Sequence, residues 1–349
     1  MPQLPYVTLN VFTTEPLTSG NPLAIVSIPP DTTLSKTQEH LIAREFGYSE
    51  TIFIYPSSSL PPEKRGEYTK IAIWTVKQEI PFAGHPTVGA GWYLGGDGEG
   101  NKEGELLIPA GRLKYEKDAG GRVRIDTPHK VTLWERMISR GRIGEVIGLP
   151  YEYFGNDEER VFENSTVGVK VAGGGGAGVD GWDVNGIPVV SIVDGMTFAL
   201  VEVKSVSVLQ ALKVGRKGVV LDTVVDLGAT GVPGGRTFLG IYCYTILEEK
   251  VEGGKGSVKV RSRMFFDGDG EDPATGSAAC ALGSFLAIVK GGSGGGRVGE
   301  WEFEVTQGVE MGRRSEIGVR VLLEEGGGGV RKVYLEGEAV KVMEGVLTV

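Results

Sequence analysis

Two stretches of this chain, 192 residues apart, follow one pattern: EIPFAGHPTVGAGWYL from Glu79 to Leu94 and EDPATGSAACALGSFL from Glu271 to Leu286. Glu79 and Glu271, Pro81 and Pro273, Gly84 and Gly276, and Leu94 and Leu286 align without a gap. Gapless agreement of this kind predicts two copies of one supersecondary unit, and with them two pseudo-symmetric domains. A chain of 349 residues is long enough for both, because a single core stops growing at about 250–300 residues.

Each copy is a loop that ends in glycine and opens a helix rich in Ala and Gly. The first turn of a helix leaves backbone N–H groups without partners, and its aligned dipoles add about half a positive charge there. Glycine lets a ligand come close to that backbone. Two such ends facing one cleft form an anion site, so the expected partner is a small-molecule carboxylate. Ala90, Gly91, Ala278, Ala279 and Ala281 are small enough to let both helices pack closely at the centres of their domains.

Strand patterns dominate the rest. In YVTLNVF, Val7, Leu9 and Val11 alternate with Thr8 and Asn10, the period of a half-buried strand. SKTQEHLIAREFG carries a capping box, Ser35 with Gln38, then Leu41, Ile42 and Phe46 as its apolar face and Gly47 as its stop. That helix delivers Ser49 and Glu50 to the start of the strand over Thr51 to Tyr55. ELLIPA, RLKYEK and RVRIDT read as a three-stranded meander, and the pattern breaks at DTPHK, which places the domain border after residue 128.

Composition excludes several function classes. A net charge of −9, pI near 5.1 and the absence of a basic run argue against nucleic acid. No apolar run approaches the ~18 residues of a membrane span and the start lacks a signal peptide, so a cytoplasmic protein with no membrane partner is expected. Cys243 and Cys280, with no CxxC pair, read as buried thiols. There is no HExxH, GxSxG or GxGxxG pattern, so neither a metal nor a nucleotide cofactor is expected. Glycine is abundant, 56 residues, and its runs at 173–178, 291–296 and 326–329 lack the Lys-Ser/Thr context of a phosphate loop. They read as long surface loops.

Catalysis needs a group that moves a proton. His85 follows Gly84 at the helix entry, where the dipole disfavours imidazolium. Asp272 lies in the matching loop of the second copy, where a simple helix cap is the alternative role. Glu50 becomes a candidate acid and base if it is buried beside an apolar wall such as Phe53 or Phe82.

Taken together, LNVFTTEPLTSGNPLAIV, IAREFGYSETIF, EIPFAGHPTVGA, RMFFDGDGEDPATGSAA and TQGVEMGRRSEIGV resemble the phenazine-biosynthesis isomerase-like (PhzF-like) family of the diaminopimelate-epimerase fold. The matches keep the family's order from residue 8 to about residue 320, with residues about 131–250 matching in strand pattern alone. The resemblance implies an α+β protein of two epimerase-like domains, each a curled, mostly antiparallel sheet around a central helix. Its active site would lie in the cleft between them and use no cofactor. The domains would be 1–128 and 129–337, with a last strand over 338–349 rejoining the first, and the protein would be a homodimer.

By the same resemblance Glu50, in the Ser49–Glu50–Thr51 motif, shuttles the proton. His85 and Asp272 assist it. Ser49, Gly84, Gly276 and Ser277 would bind the substrate, the two helix starts holding its carboxylate. The implied reaction is isomerisation of a small carboxylate, such as a ring bearing amino or hydroxy groups, by general acid/base transfer. A lyase or cyclase using the same glutamate, and a binding or scaffold protein that keeps the fold, stay open. Racemases of this fold use two cysteines where this chain has Ala83 and Thr275, and neither of these can act as a base. Val76 and Asp267 stand where the family often has proline, and this leaves the shape of the substrate open.

Overall fold

The computed structural model describes residues 2–96, 102–134, 138–154, 171–172, 186–213, 238–266, 270–291, 298–325 and 329–349. Asp267, most of the glycine runs and the strand residues expected just before Val171 lie outside these. The chain divides into two compact units, 1–128 with 312–317 and 334–349, and 129–311 with 318–333. The first unit thus takes in the segment 312–317, and its returning segment starts at 334 rather than 338.

In the first unit β1 (Gln3–Val11) runs antiparallel to β2 (Asn21–Ser27), which lies parallel to β3 (Glu50–Ile54). β3 is antiparallel to β4 (Thr69–Thr75), and β4 joins the meander β5 (Lys102–Ile108), β6 (Gly111–Lys117) and β7 (Val123–Asp126). Two late segments complete the sheet: Ala339–Thr348 pairs with β1, and Tyr334 to Gly337 pair with β7. The sheet's two edges are therefore neighbours in sequence, which curls it around one helix. That helix, α2 (Gly84–Gly95), touches β1, β2, β3, β5, β6 and β7. It can do so because a Cβ at Gly89 would stand 2.4 Å from Leu23 Cδ2, and one at Gly91 2.9 Å from Val123 Cγ1.

The first helix, α1 (Lys36–Phe46), has the predicted Ser35–Gln38 capping box and ends at Gly47 in the left-handed region, φ 66°. Its inward face differs from the sequence reading. Leu41 is 54% exposed, and the buried stripe is Glu39, Ile42 and Ala43. Glu39 is tolerated there because Trp74 Nε1 (2.8 Å), Lys36 Nζ (3.1 Å) and the Tyr55 hydroxyl all donate to its carboxylate. β1 also departs from simple alternation, with Thr8 and Asn10 buried along with their apolar neighbours. Asn10 is satisfied by Arg313, whose Nη2 donates to Oδ1 at 2.8 Å.

In the second unit β8 (Thr132–Trp134) pairs with β9 (Val189–Val193), and β9 forms a hairpin with β10 (Met196–Glu202). β10 lies parallel to the long β11 (Phe238–Glu252), β11 is antiparallel to β12 (Lys255–Phe266), and β12 is parallel to β13 (Glu300–Gln307). Two short helices, α3 (Arg140–Ile147) and α4 (Val206–Ala211), contribute Ile143, Ile147 and Leu209 to a core with Val201, Ile241 and Phe265. The central helix α5 (Gly276–Gly291) is buried along nearly its whole length and packs on β9, β10 and β13. Cys243 and Cys280 are buried and not joined in a disulfide.

The repeat read from the sequence is a structural unit. In each half a two-residue strand, Glu79–Ile80 or Glu271–Asp272, lies antiparallel to the preceding long strand, opposite Trp74 and Ile73 or Phe265 and Met264. A central helix then begins on Gly84 or Gly276.

Candidate active site

The N-cap of α2 is Ala83, in extended conformation and without a side-chain cap. Pro86, the third helical residue, has no N–H, so among the first three helical residues only Gly84 and His85 carry amide donors. At the other end Lys117 Nζ donates to the Gly96 carbonyl at 2.6 Å and sits 4.6 Å from the Trp92 ring centroid. A cation thus complements the C-terminal pole, while no side chain caps the N-terminal one.

Beside that uncapped end stands Glu50. It opens β3, opposite Leu23 and Thr75 of the neighbouring strands, and its side chain is 17% exposed. His85 is buried, with Nε2 3.5 Å from Glu50 Oε2, too long for a good hydrogen bond. Nε2 has no hydrogen-bond partner. Nδ1 is 3.4 Å from Asn21 Nδ2, and Ser49 Oγ lies 3.5 Å from Asn21 Oδ1, both long contacts. Ser49 itself is exposed. Burial pushes the His85 pKa down to about 3, the Pro22 carbonyl offsetting part of the effect, so the ring is neutral at physiological pH. Glu50, Ser49, Gly84 and His85 therefore gather in one place in the first unit. Asn21 completes the group. It was not singled out from the sequence, although an asparagine opening an otherwise apolar strand is a visible sign of a buried polar contact.

In the second unit Asp272 is buried, and its Oδ2 accepts from the Thr275 hydroxyl at 2.5 Å. Gln307 binds the same loop. Its Nε2 donates to the Asp272 carbonyl (2.7 Å) and to Thr275 Oγ1 (3.1 Å), and its Oε1 accepts from the Thr275 amide (3.3 Å) and the Tyr242 hydroxyl (3.0 Å). Tyr242 in turn accepts from Ser262 at 2.9 Å. Burial raises the Tyr242 phenol above its ordinary pKa, and the nearby Asp272 charge adds to that, so it stays a neutral donor. Gly276 and Ser277 are buried at the start of α5. Gln307 was missed in the sequence, yet the alternation of β13 puts it on the apolar face with Trp301, Phe303 and Val305.

The two matched glutamates part company. The Glu271 side chain is 8% exposed and held by a two-pronged contact with Arg263, Nε to Oε1 and Nη2 to Oε2, both 2.8 Å. Glu79 meets Lys36 at 2.9 Å near the surface. Val76 has an exposed side chain, and its carbonyl lies 3.0 Å from His40 Nε2. Among the described residues no group of three or more His, Cys, Asp or Glu is placed to hold a metal, and no helix is long and apolar enough to cross a membrane.

The chain as a whole is similar to known proteins. The model of the PhzC-PhzF family, described as phenazine biosynthesis-like protein, matches residues 9–136 and 182–345. The trans-2,3-dihydro-3-hydroxyanthranilate isomerase of Pseudomonas aeruginosa is 27% identical, covering 97% of this chain and 98% of its own. An uncharacterized isomerase of Mesorhizobium japonicum is 29% identical over 98% of both chains. Among solved structures, a PhzF-family phenazine biosynthesis protein from Bacillus anthracis superposes with a TM-score of 0.66 at 20% identity, covering all of both chains. A protein from Agrobacterium radiobacter described as a probable proline racemase shares the fold at a TM-score of 0.53 and 12% identity, covering 99% of this chain and 92% of that one. The chain belongs to the phenazine biosynthesis-like (PhzC-PhzF) family of isomerases, with their α+β, epimerase-like fold.

Proposed function

We propose that this protein isomerises a small carboxylate by general acid/base proton transfer, without a cofactor, and that Glu50 carries the proton. In this reading the Glu50 carboxylate takes a proton from a substrate carbon. The electron pair left behind spreads into a conjugated system, and Glu50 returns the proton at another carbon. The amides of Gly84 and His85 hold an anionic oxygen of the ligand. Ser49 contributes to binding and orientation. The name of the Pseudomonas aeruginosa relative favours a ring bearing carboxylate, amino and hydroxy groups as the substrate class.

One observation carries the reading: a glutamate stands 3.5 Å from a buried histidine nitrogen that has no hydrogen bond, at a helix start without a side-chain cap. Native proteins keep very few such orphaned groups, and a bound ligand is the simplest reason for one at a helix mouth. The test is solvent exchange. Candidate cyclic carboxylates, first ranked by the rise they cause in melting temperature, are incubated with protein in deuterated water. The wild type should place deuterium on a substrate carbon, and Glu50→Gln should bind the same compound without labelling it. Equal labelling by both proteins removes Glu50 from the reaction.

A further inference from the structure

Glu50 and His85 stand at the N-terminal mouth of α2. The opposite end of that helix borders a second concavity of the first unit, a groove of about 560 Å³ whose lining side chains are all charged. Lys117 connects the two, because its Nζ donates to the Gly96 carbonyl at 2.6 Å, just past the end of α2, and it also lines the groove.

Strand register orders the charges. Glu103 of β5 stands opposite Glu116 of β6, Glu116 opposite Arg124 of β7, and Arg124 opposite Glu336 of the returning segment. Arg122 comes two residues before Arg124, so both side chains leave the same face of the extended chain. Both donate to Glu336, Arg122 Nε at 3.1 Å and Arg124 Nε at 2.8 Å. Burial by itself would raise the Glu336 carboxyl, but Arg124 and Arg122 outweigh it and hold the group below the usual carboxylate range, ionised between them.

Two features of this row are left unsatisfied. A single carboxylate faces two guanidinium groups and holds each by its Nε. Both Nη groups of Arg122 and Nη2 of Arg124 have no acceptor among the described residues, and Arg124 Nη1 reaches Glu116 only at 3.4 Å. The outcome is a pair of oriented forks whose outer edges suit an oxyanion. At the other end of the row Glu103 and Glu116 are like charges directly opposite each other, an arrangement that repels. Glu103 has no ion-pair partner among the described residues, and Glu116, 62% exposed, has the one long contact with Arg124. Lys102 and Asp118 add one charge of each sign to the lining.

We infer that this groove binds a small zwitterion, an amino acid whose carboxylate takes the open guanidinium edges of Arg122 and Arg124 and whose ammonium lies between Glu103 and Glu116. An anion alone would leave the two glutamates repelling each other, and a cation alone would leave the forks open. Neighbouring strands lie about 4.8 Å apart, so the two ends of the row are within reach of one molecule whose ammonium and carboxylate are a few bonds apart. The volume falls within the range of about 300–1,000 Å³ usual for small-molecule sites. Because the groove lies at the far end of α2 from His85, the inference does not rest on the reaction proposed for Glu50.

The experiment uses full-length protein labelled with 15N-arginine, whose side-chain Nε–H signals report on the forks. L-Alanine is titrated beside two truncated probes, propionate, which lacks the ammonium, and ethylammonium, which lacks the carboxylate. The signals of interest are those lost in Arg122→Lys and in Arg124→Lys. L-Alanine should move both in a saturable way with a millimolar midpoint, and each truncated probe should bind about tenfold more weakly or worse. Glu103→Gln should weaken L-alanine about tenfold and leave propionate unchanged. Arg122→Lys keeps the charge but loses the fork, and should weaken L-alanine and propionate alike. Both changed residues are on the surface, so these variants are expected to fold. If Arg124→Lys does not fold, the Arg122 signal decides. The inference is overturned by an absence of saturable movement, by propionate binding as tightly as L-alanine, or by L-alanine binding unaltered in Glu103→Gln. Equal movement of the signals of Arg112 and Arg320, which lie outside the groove, would mark a bulk salt effect and overturn it as well.

Discussion

At the start of α2 a buried imidazole nitrogen has no hydrogen bond, whereas at the start of α5 Asp272, Thr275, Gln307, Tyr242 and Ser262 bond one another in a chain. The two mouths descend from one repeated pattern and share the two-residue strand, the proline and the opening glycine. They differ in whether their polar groups are satisfied. An unmade buried hydrogen bond costs about 1–3 kcal/mol, so the first mouth is held in a condition that a ligand would relieve. The second resembles a frame, where satisfied groups specify one geometry. The glutamates follow the same division, since Glu271 is locked by Arg263 inside the second unit while Glu79 stays near the surface with Lys36.

The contrast can be broken in several ways, and the largest effect is expected at Glu50. Glu50→Gln should lower isomerase turnover by about a hundred- to ten-thousand-fold, the range of general acid/base help, with binding measured by calorimetry little changed. Loss of binding in proportion to turnover would make Glu50 a binding group instead. Next is Arg263→Met. It leaves the Glu271 carboxylate buried without its cation and should cost about 3–5 kcal/mol in urea unfolding. The double change to Arg263→Met with Glu271→Leu should recover much of that, because an apolar pair of similar volume is often neutral. A double variant as unstable as the single one would show that the bonds from Arg263 to the Leu209 and Leu212 carbonyls matter more than the ion pair.

The third prediction concerns pH. The folded pKa of His85, about 3, lies below the ordinary histidine value near 6.5, so between these pH values the unfolded chain binds more protons than the native one. The full contribution is present above pH 6.5 and is lost as pH falls towards 3. At pH 5 the wild type should be about 2 kcal/mol less stable than at neutrality on this account alone, and His85→Gln should lack that component of the slope. Identical pH dependence in both proteins would mean that His85 protonates freely in the folded state. The smallest effect is expected from Glu79→Gln, about 0–1 kcal/mol, because its pair with Lys36 lies near the surface. A cost as large as that of Arg263→Met would erase the distinction between the two mouths.

Much of this organisation was legible in the sequence. The offset between Gly84 and Gly276 marked the starts of both central helices, and Ser35, Gln38 and Gly47 marked the ends of α1. Such signals are local: caps, glycines and prolines act through backbone geometry within a turn or two. Glu50 and His85 were also identifiable, one at a helix-to-strand junction and one at a helix mouth. Leu41 was misplaced because Ile42 and Phe46 fit two helical stripes, and the choice fell to the stripe containing Glu39, whose carboxylate finds one donor a turn away, Lys36, and two on distant elements, Tyr55 and Trp74.

The sequence by itself determined the repeat, the central helices and the residues able to move a proton, because each depends on spacing along the chain. Only the tertiary structure decided which polar groups find partners. Asn21 meets His85, Arg313 meets Gly20, and Gln307 meets Thr275 across separations that no local pattern encodes. Satisfaction of a buried donor or acceptor is a property of the packed interior, since only there is water unavailable to complete it. The same repeated pattern could therefore produce one poised mouth and one saturated mouth.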